Sequence, residues 1–157
     1  MTRIGFGQVE PNHLSAQRTG QIYAQLPATG IDKLENGQFV KYNYAENKVG
    51  FEGQGEWMLV YNEVKLYESR KGNKDFALKA EDAVGGVIVP RVFKTNIGDI
   101  YTTNCAAEAE YAVNDELSPN AEGLLAKGVS GATMKWQVVA LTKLADGQDA
   151  IKVMRIA

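Results

Sequence analysis

The chain has 157 residues, a hydrophobic share of 45% and a formal net charge of −2. That length suits one domain, or one domain with a small appendage, and it buries a core without metals or disulfides. Mixed acids and bases give no global field that favours nucleic acid, and a single cysteine forms no internal disulfide.

The first thirty residues differ from the rest. Residues 1–30 carry Gly5, Gly7, Pro11, Gly20, Pro27 and Gly30 with isolated apolar residues between them. Neither a helical nor a strand period holds for long. The expectation is an extended arm, with a short strand over Gln21 to Gln25. Phe6, Val9, Leu14, Ile22, Tyr23 and Leu26 make it too apolar for a solvated tail. The arm should lie against this domain, a neighbouring copy or a partner. These six side chains are the candidate partner-binding residues. The start Met1-Thr-Arg-Ile-Gly-Phe-Gly is not apolar enough for a signal peptide, and no run reaches bilayer length. The expectation is synthesis and folding in a cytoplasm, with no membrane partner.

From Ile31 the β signals begin. Asn36-Gly37 predicts a turn before a strand over Gln38 to Tyr44, with Phe39 or Val40 toward a core. Asn47 to Gly55 is turn-rich. Glu56 to Tyr67 holds the strongest strand pattern, dominated by aromatic and β-branched residues. Glu68 to Lys74 reads as a polar loop. Phe76, Ala77, Leu78, Ala80 and Ala83 predict a short helix within Lys74 to Val84, ended by Gly85-Gly86. Val87 to Lys94 reads as a strand, which Pro90 assigns to an edge or a bulge.

Ile100 to Asn104 predicts another strand. Cys105 to Val113 is ambiguous, since its alanines favour helix and its alternation favours strand; strand is the reading taken. Asp115 to Leu125 predicts a loop with one short strand. Trp136 to Leu144, a turn at Asp146-Gly147, and Ala150 to Ile156 predict a closing hairpin, with Trp136, Val138 and Ala140 facing the core. The fold class expected is mainly β. It is a small β-sandwich or barrel-like domain over residues 31–157, with an extended N-terminal arm and at most one short helix.

Motifs for chemistry are sparse. Gly5-Phe6-Gly7 and Gly53-Gln54-Gly55 lack the third glycine of a dinucleotide loop and read as tight turns. The acidic pairs match no calcium loop. A glycosidase needs facing carboxylates, which sequence spacing does not reveal. His13 sits in the irregular arm, and Ser15, Ser69, Ser118 and Ser130 lack a nucleophile turn. Cys105 reads as a buried small hydrophobe. Trp57, Tyr61, Tyr67, Tyr101 and Trp136 read as core, with a stacking surface for sugar or single-stranded nucleic acid as the other option. No cofactor and no metal are expected.

Three stretches carry a family resemblance. The first is Gln17 to Pro27 leading into Leu34-Glu35-Asn36-Gly37-Gln38-Phe39-Val40. The second is Val92-Phe93-Lys94 with Gly98-Asp99-Ile100-Tyr101-Thr102-Thr103-Asn104. The third runs from Trp136 to Val153. In this order they resemble virion structural proteins of tailed bacteriophages, in particular capsid decoration proteins of the cement or head-fibre type. The resemblance implies a non-enzymatic β-rich domain that docks on the major capsid protein of a phage head. It implies a homo-oligomer and a virion location after assembly in the host cytoplasm, and it supplies no active-site residues. Another virion component (head-tail joining, tail or baseplate), a carbohydrate-binding β module and a small hydrolase are the competing readings.

Overall fold

The computed structural model describes residues 1–23, 25–64 and 68–157. In chain order the strands are β1 (Val9–His13), β2 (Lys33–Leu34), β3 (Phe39–Asn43), β4 (Lys48–Gly50), β5 (Met58–Val60) and β6 (Leu78–Lys79). They continue as β7 (Val92–Phe93), β8 (Ile100–Thr103), β9 (Glu116–Pro119), β10 (Leu125–Lys127), β11 (Trp136–Lys143) and β12 (Asp149–Arg155). One short helix, α1, spans Ser15–Arg18, and 3-10 turns occupy Asn73–Asp75, Ala80–Asp82 and Val84–Gly86. The protein is mainly β, as the turn and strand signals predict.

A six-stranded antiparallel sheet, in the order β1-β8-β12-β11-β9-β10, faces a four-stranded antiparallel sheet in the order β4-β3-β5-β7. Both sheets are open, so the sandwich alternative holds and the barrel does not. Period-two alternation assigns the faces. Phe39 and Leu59 of the smaller sheet join Tyr101, Leu117, Trp136, Val138 and Val153 of the larger one in a first core. Val40, Met58, Val60, Val49 and Val92 point the other way into a second core. Both sides of the smaller sheet are therefore buried, which explains why Met58, Leu59 and Val60 are an unbroken apolar run. The second core is closed by Ala28, Leu34 and Ile88, with β2 and β6 pairing alongside.

The N-terminal residues are woven into this domain. β1 pairs with β8 at the edge of the large sheet, Val9 opposite Thr103. Pro11 and a register break before His13 blunt that edge. Val9 and Leu14 sit in the first core. Farther on, the Tyr23 N–H bonds to Val92 O at 2.9 Å on one edge of the small sheet. Pro27 O accepts from Val49 N–H at 3.0 Å on the other edge. Of the surfaces expected for the arm, this domain, a neighbouring copy or a partner, it lies against this domain and completes its sheets.

Other expectations are corrected too. The helix expected in Lys74 to Val84 is absent, because Leu78 and Lys79 pair with Leu34 and Lys33 and hold the segment extended. The strand expected over Cys105 to Val113 is also absent. Ala106 makes one parallel bridge to Leu125, and the chain then turns so that Glu108 N–H bonds to the Tyr111 hydroxyl at 2.8 Å. No strand forms over Gln21 to Gln25 among the described residues. The strand expected from Glu56 shortens to β5, because Asn62 turns aside to bond Asn36; residues 65–67 lie outside the described residues.

The C-terminal hairpin forms as predicted, with Gly147 at φ 85° in its turn. A register shift between Val138 and Ala140 breaks the alternation, so Ala140 is half-buried where it was expected inside.

Gly37 is the tighter glycine. It has φ 98°, and a Cβ there would lie 2.6 Å from the Cys105 Cβ. Gly37→Ala should cost a left-handed backbone penalty of roughly 1–2 kcal/mol plus about 1–3 kcal/mol for overpacking. At Gly147 a Cβ meets nothing within 4 Å, so Gly147→Ala should cost the backbone penalty alone. Urea midpoints of the two variants check this; equal shifts would contradict the close approach of Gly37 to Cys105.

Candidate functional site

The residues that carry the family resemblance turn out to be fasteners. In Leu34 to Val40, the Glu35 carboxylate is buried. It accepts the Gly7 N–H at 2.7 Å and pairs with Arg3 at 2.8 Å and Lys33 at 3.2 Å. Asn36 Oδ1 accepts the Asn62 N–H at 2.7 Å, and its amide donates to Asn62 O at 3.1 Å. In Gly98 to Asn104, Asp99 accepts from Ser15 N–H at 3.0 Å and caps the first turn of α1 from another loop. Thr102, Thr103 and Asn104 hold Asn12, Gln8 O and Gln8 N–H in turn. Buried polar groups are tolerated when bonded, and here the bonds to Arg3, Gly7, Gln8, Asn12 and Ser15 tie the N-terminal chain to the sandwich.

Several of the candidate chemical groups are engaged within the fold. The Ser15 hydroxyl donates to Asp99 Oδ2 at 3.0 Å rather than to His13. The Cys105 thiol is pushed up to about 12, chiefly by burial and then by the charge of Glu35, so it stays protonated near neutrality. Asp146 is held below the usual carboxylate range by hydrogen bonds from Gln8 and Gln148, and Asp149 by Lys143. Carboxylates held in this way are anchors rather than proton donors at neutral pH. Among the described residues, no group of His, Cys, Asp or Glu is placed to hold a metal ion. No helix there is long and apolar enough to cross a membrane.

The aromatic residues divide cleanly. Tyr101 and Trp136 are fully buried with rings 5.1 Å apart, edge to face. Tyr61 packs on Phe93 at 6.1 Å. Trp57 packs on the first core and carries Lys41 Nζ 4.5 Å over its ring, so its ring is already engaged. Tyr67 lies outside the described residues.

Of the six candidate partner-binding residues, four are engaged within the domain. Val9 and Leu14 are core, which corrects the expectation that they face a partner. Leu26 packs on the second core. Phe6 is half-buried between Lys33 and Lys79, each with Nζ 5.2 Å from its ring centroid. Ile22 and Tyr23 remain exposed.

Tyr23 does not stand alone. Its ring meets Tyr42 edge to face at 5.8 Å, and Tyr42 stacks on Tyr44 at 5.2 Å with planes 11° apart. Tyr44 is 64% exposed and Tyr23 48%. The row arises from strand periodicity: Val40, Tyr42 and Tyr44 share one face of β3 and its extension, which begins in the second core and runs out to solvent. Gln54 N–H and Gly55 N–H both bond to Tyr42 O and hold the backbone there. Burial, then the neighbouring Tyr23 and Tyr44, raises the Tyr42 pKa, so the Tyr42 hydroxyl is neutral at physiological pH. Lys94 Nζ lies 5.3 Å over Tyr23. The signal for Tyr42 and Tyr44 was present in the sequence, as the outward continuation of the Val40 face.

Comparisons with known proteins are spare. No family model matches the chain, and no solved structure matches it. Curated similarity is to argininosuccinate synthases of Clostridium botulinum strains, such as Hall and Kyoto. The identity is 29% over 117 residues, covering 72% of this chain and 28% of the synthase. The chain thus spans little more than a quarter of the length of those relatives.

Proposed function

We propose that the protein is a non-enzymatic structural component of a tailed-phage virion that docks on the major capsid protein and reinforces the assembled head. The observation that carries this reading is the tyrosine row. Interfaces favour tyrosine because it offers large, rigid contact area at low entropy cost. Here the rings are ordered by one another before any partner arrives, which lowers the cost of binding. Tyr42 and Tyr44 each cover one face of the other, and Lys94 lies over Tyr23, so the row offers edges and hydroxyls together with the outer face of Tyr44. The motif order that resembles decoration proteins supports the same reading. Repetition on a lattice multiplies modest contacts through avidity where copies are linked. The partial similarity to argininosuccinate synthases concerns a minor part of those enzymes, and no role for a residue here follows from it.

Tyr23→Ser with Tyr44→Ser should leave the melting temperature nearly unchanged, since exposed substitutions usually move stability by under about 0.5 kcal/mol. Cosedimentation with heads lacking the protein should show affinity weakened more than tenfold, the effect of losing about 1.4 kcal/mol or more at a hot spot. Unchanged binding by a folded double variant would remove the row from the interface.

A further inference from the structure

An open cleft of about 500 Å³ is lined from both sheets, by Lys41 and Trp57 on one side and by Pro119 and Arg155 on the other. Period-two alternation sends Lys41 of β3 to the same side as Phe39 and away from Tyr42, which brings it into this cleft. The half-buried Lys41 rests its Nζ 4.5 Å over the Trp57 ring. That contact positions the ammonium without cancelling its charge, and no carboxylate pairs with it among the described residues. Arg155 is differently placed, since its Nη1 is taken by Glu56 at 2.6 Å and by Thr95 Oγ1 at 3.0 Å. Glu56, the one carboxylate of the lining among the described residues, also pairs with Lys94 at 3.7 Å. Three cations therefore face one carboxylate, and Lys41 is the one left over.

We infer that this cleft receives a carboxylate side chain from an acidic segment of the partner that docks on the tyrosine row. The inference rests on the reading of that row as the docking face, with which the cleft is continuous. Lys41 and Tyr42 are neighbours on β3, and Gly55 of the cleft donates its N–H to Tyr42 O at 3.4 Å. Lys94 joins the two surfaces, lying over Tyr23 of the row and pairing with Glu56 of the cleft. A partner seated on the row thus reaches the cleft without a break. The charges set the chemistry of the occupant. A half-buried ammonium with no carboxylate partner favours an anionic acceptor, because a charge-assisted hydrogen bond is stronger than a neutral one. Glu56 opposes a doubly charged phosphate more than a singly charged carboxylate. A sugar ring finds no open platform, since Lys41 covers one face of Trp57 and the indole packs on the first core.

Titration of the full chain with a capped triglutamate peptide, read by tryptophan fluorescence without any particle, tests it. Trp57 reports on the cleft, because the other tryptophan, Trp136, is fully buried. The wild type should give a saturable change with triglutamate and none with triglutamine. Lys41→Met keeps an apolar stem over Trp57 and should weaken triglutamate binding at least tenfold at an unchanged melting temperature. Lys41→Gln should do the same if the first variant folds poorly, and Lys41→Arg should retain binding. Lys152→Met removes a lysine outside the cleft and should leave binding intact. On heads lacking the protein, Lys41→Met should also bind more weakly than the wild type. No saturable response of the wild type, an equal response to triglutamine, or indifference to loss of the Lys41 charge would overturn the inference. So would free glutarate that binds as tightly as the peptide, since the cleft would then serve a small carboxylate rather than a partner segment. A Lys41→Met protein that loses the peptide yet holds heads with wild-type affinity would likewise place the cleft outside the interface. The two readings fail separately, because the peptide titration needs no heads and the tyrosine double variant is read only on them.

Discussion

Trp136→Ala is expected to remove about 3–5 kcal/mol of folding stability. Trp136 opens β11, is fully buried, and lies at the centre of the first core. It pairs across to Arg155 on one side and Leu117 on the other, and its ring meets both Tyr101 and Phe39. It therefore touches both sheets of the sandwich. Its indole N–H has no hydrogen-bond partner among the described residues, so its contribution is packed volume. The loss approaches the whole stability of many small domains. Urea unfolding of the variant measures it. A variant with an unchanged midpoint would show that the two sheets do not close over this ring.

The second large effect concerns the N-terminal chain. Removing residues 1–14 is expected to abolish cooperative folding. Val9 and Leu14 are each worth roughly 1.5–3 kcal/mol when fully buried, and both would go. β8 would lose one of its two partner strands and become the exposed edge beside Tyr101. Glu35 would keep only Lys33 after losing Arg3 and the Gly7 N–H, leaving a poorly compensated buried carboxylate. Asn104 would lose the Gln8 N–H as well. A truncated protein that melts sharply near the wild-type temperature would contradict the placement of β1 in the sheet. Trimming Met1 and Thr2 alone removes none of these bonds and should cost far less, chiefly the contact of Met1 with the first core.

What the sequence revealed follows from where local signals and tertiary demands agree. The C-terminal hairpin was legible because Trp136 and Val138 alternate with polar neighbours and Asp146-Gly147 permits one turn. The Asn36-Gly37 turn was legible for the same reason. The N-terminal chain was not, since β1 has only five residues, includes Pro11, and is identified by its partner β8, ninety residues away, rather than by its own pattern. The helix expected after Lys74 failed because an alanine-rich spacing was overridden by pairing with Lys33 and Leu34. Cys105 to Val113 alternates in sequence, yet β10 offers it a single bridge, and alternation without a neighbouring strand makes no sheet.

The candidate site was half legible. Ile22 and Tyr23 are on the surface as an interface requires, whereas Val9 and Leu14 were apolar for the sake of this domain's own core. Apolar residues in an irregular segment need a surface, but composition does not say whose. Tyr42 and Tyr44 were missed because a strand's outward residues look ordinary until Tyr23 is brought beside them by the chain crossing the small sheet.

The central claim is that this protein coats a phage head, and its distribution on purified virions tests that most directly. Cryo-electron microscopy of the particles, with and without the protein, should show added density of sandwich shape at regular positions over the whole head lattice. Copy number should rise with the number of lattice positions. Density confined to the portal vertex, the tail or the baseplate would assign the protein to another part of the virion. Its absence from purified particles would contradict the account outright.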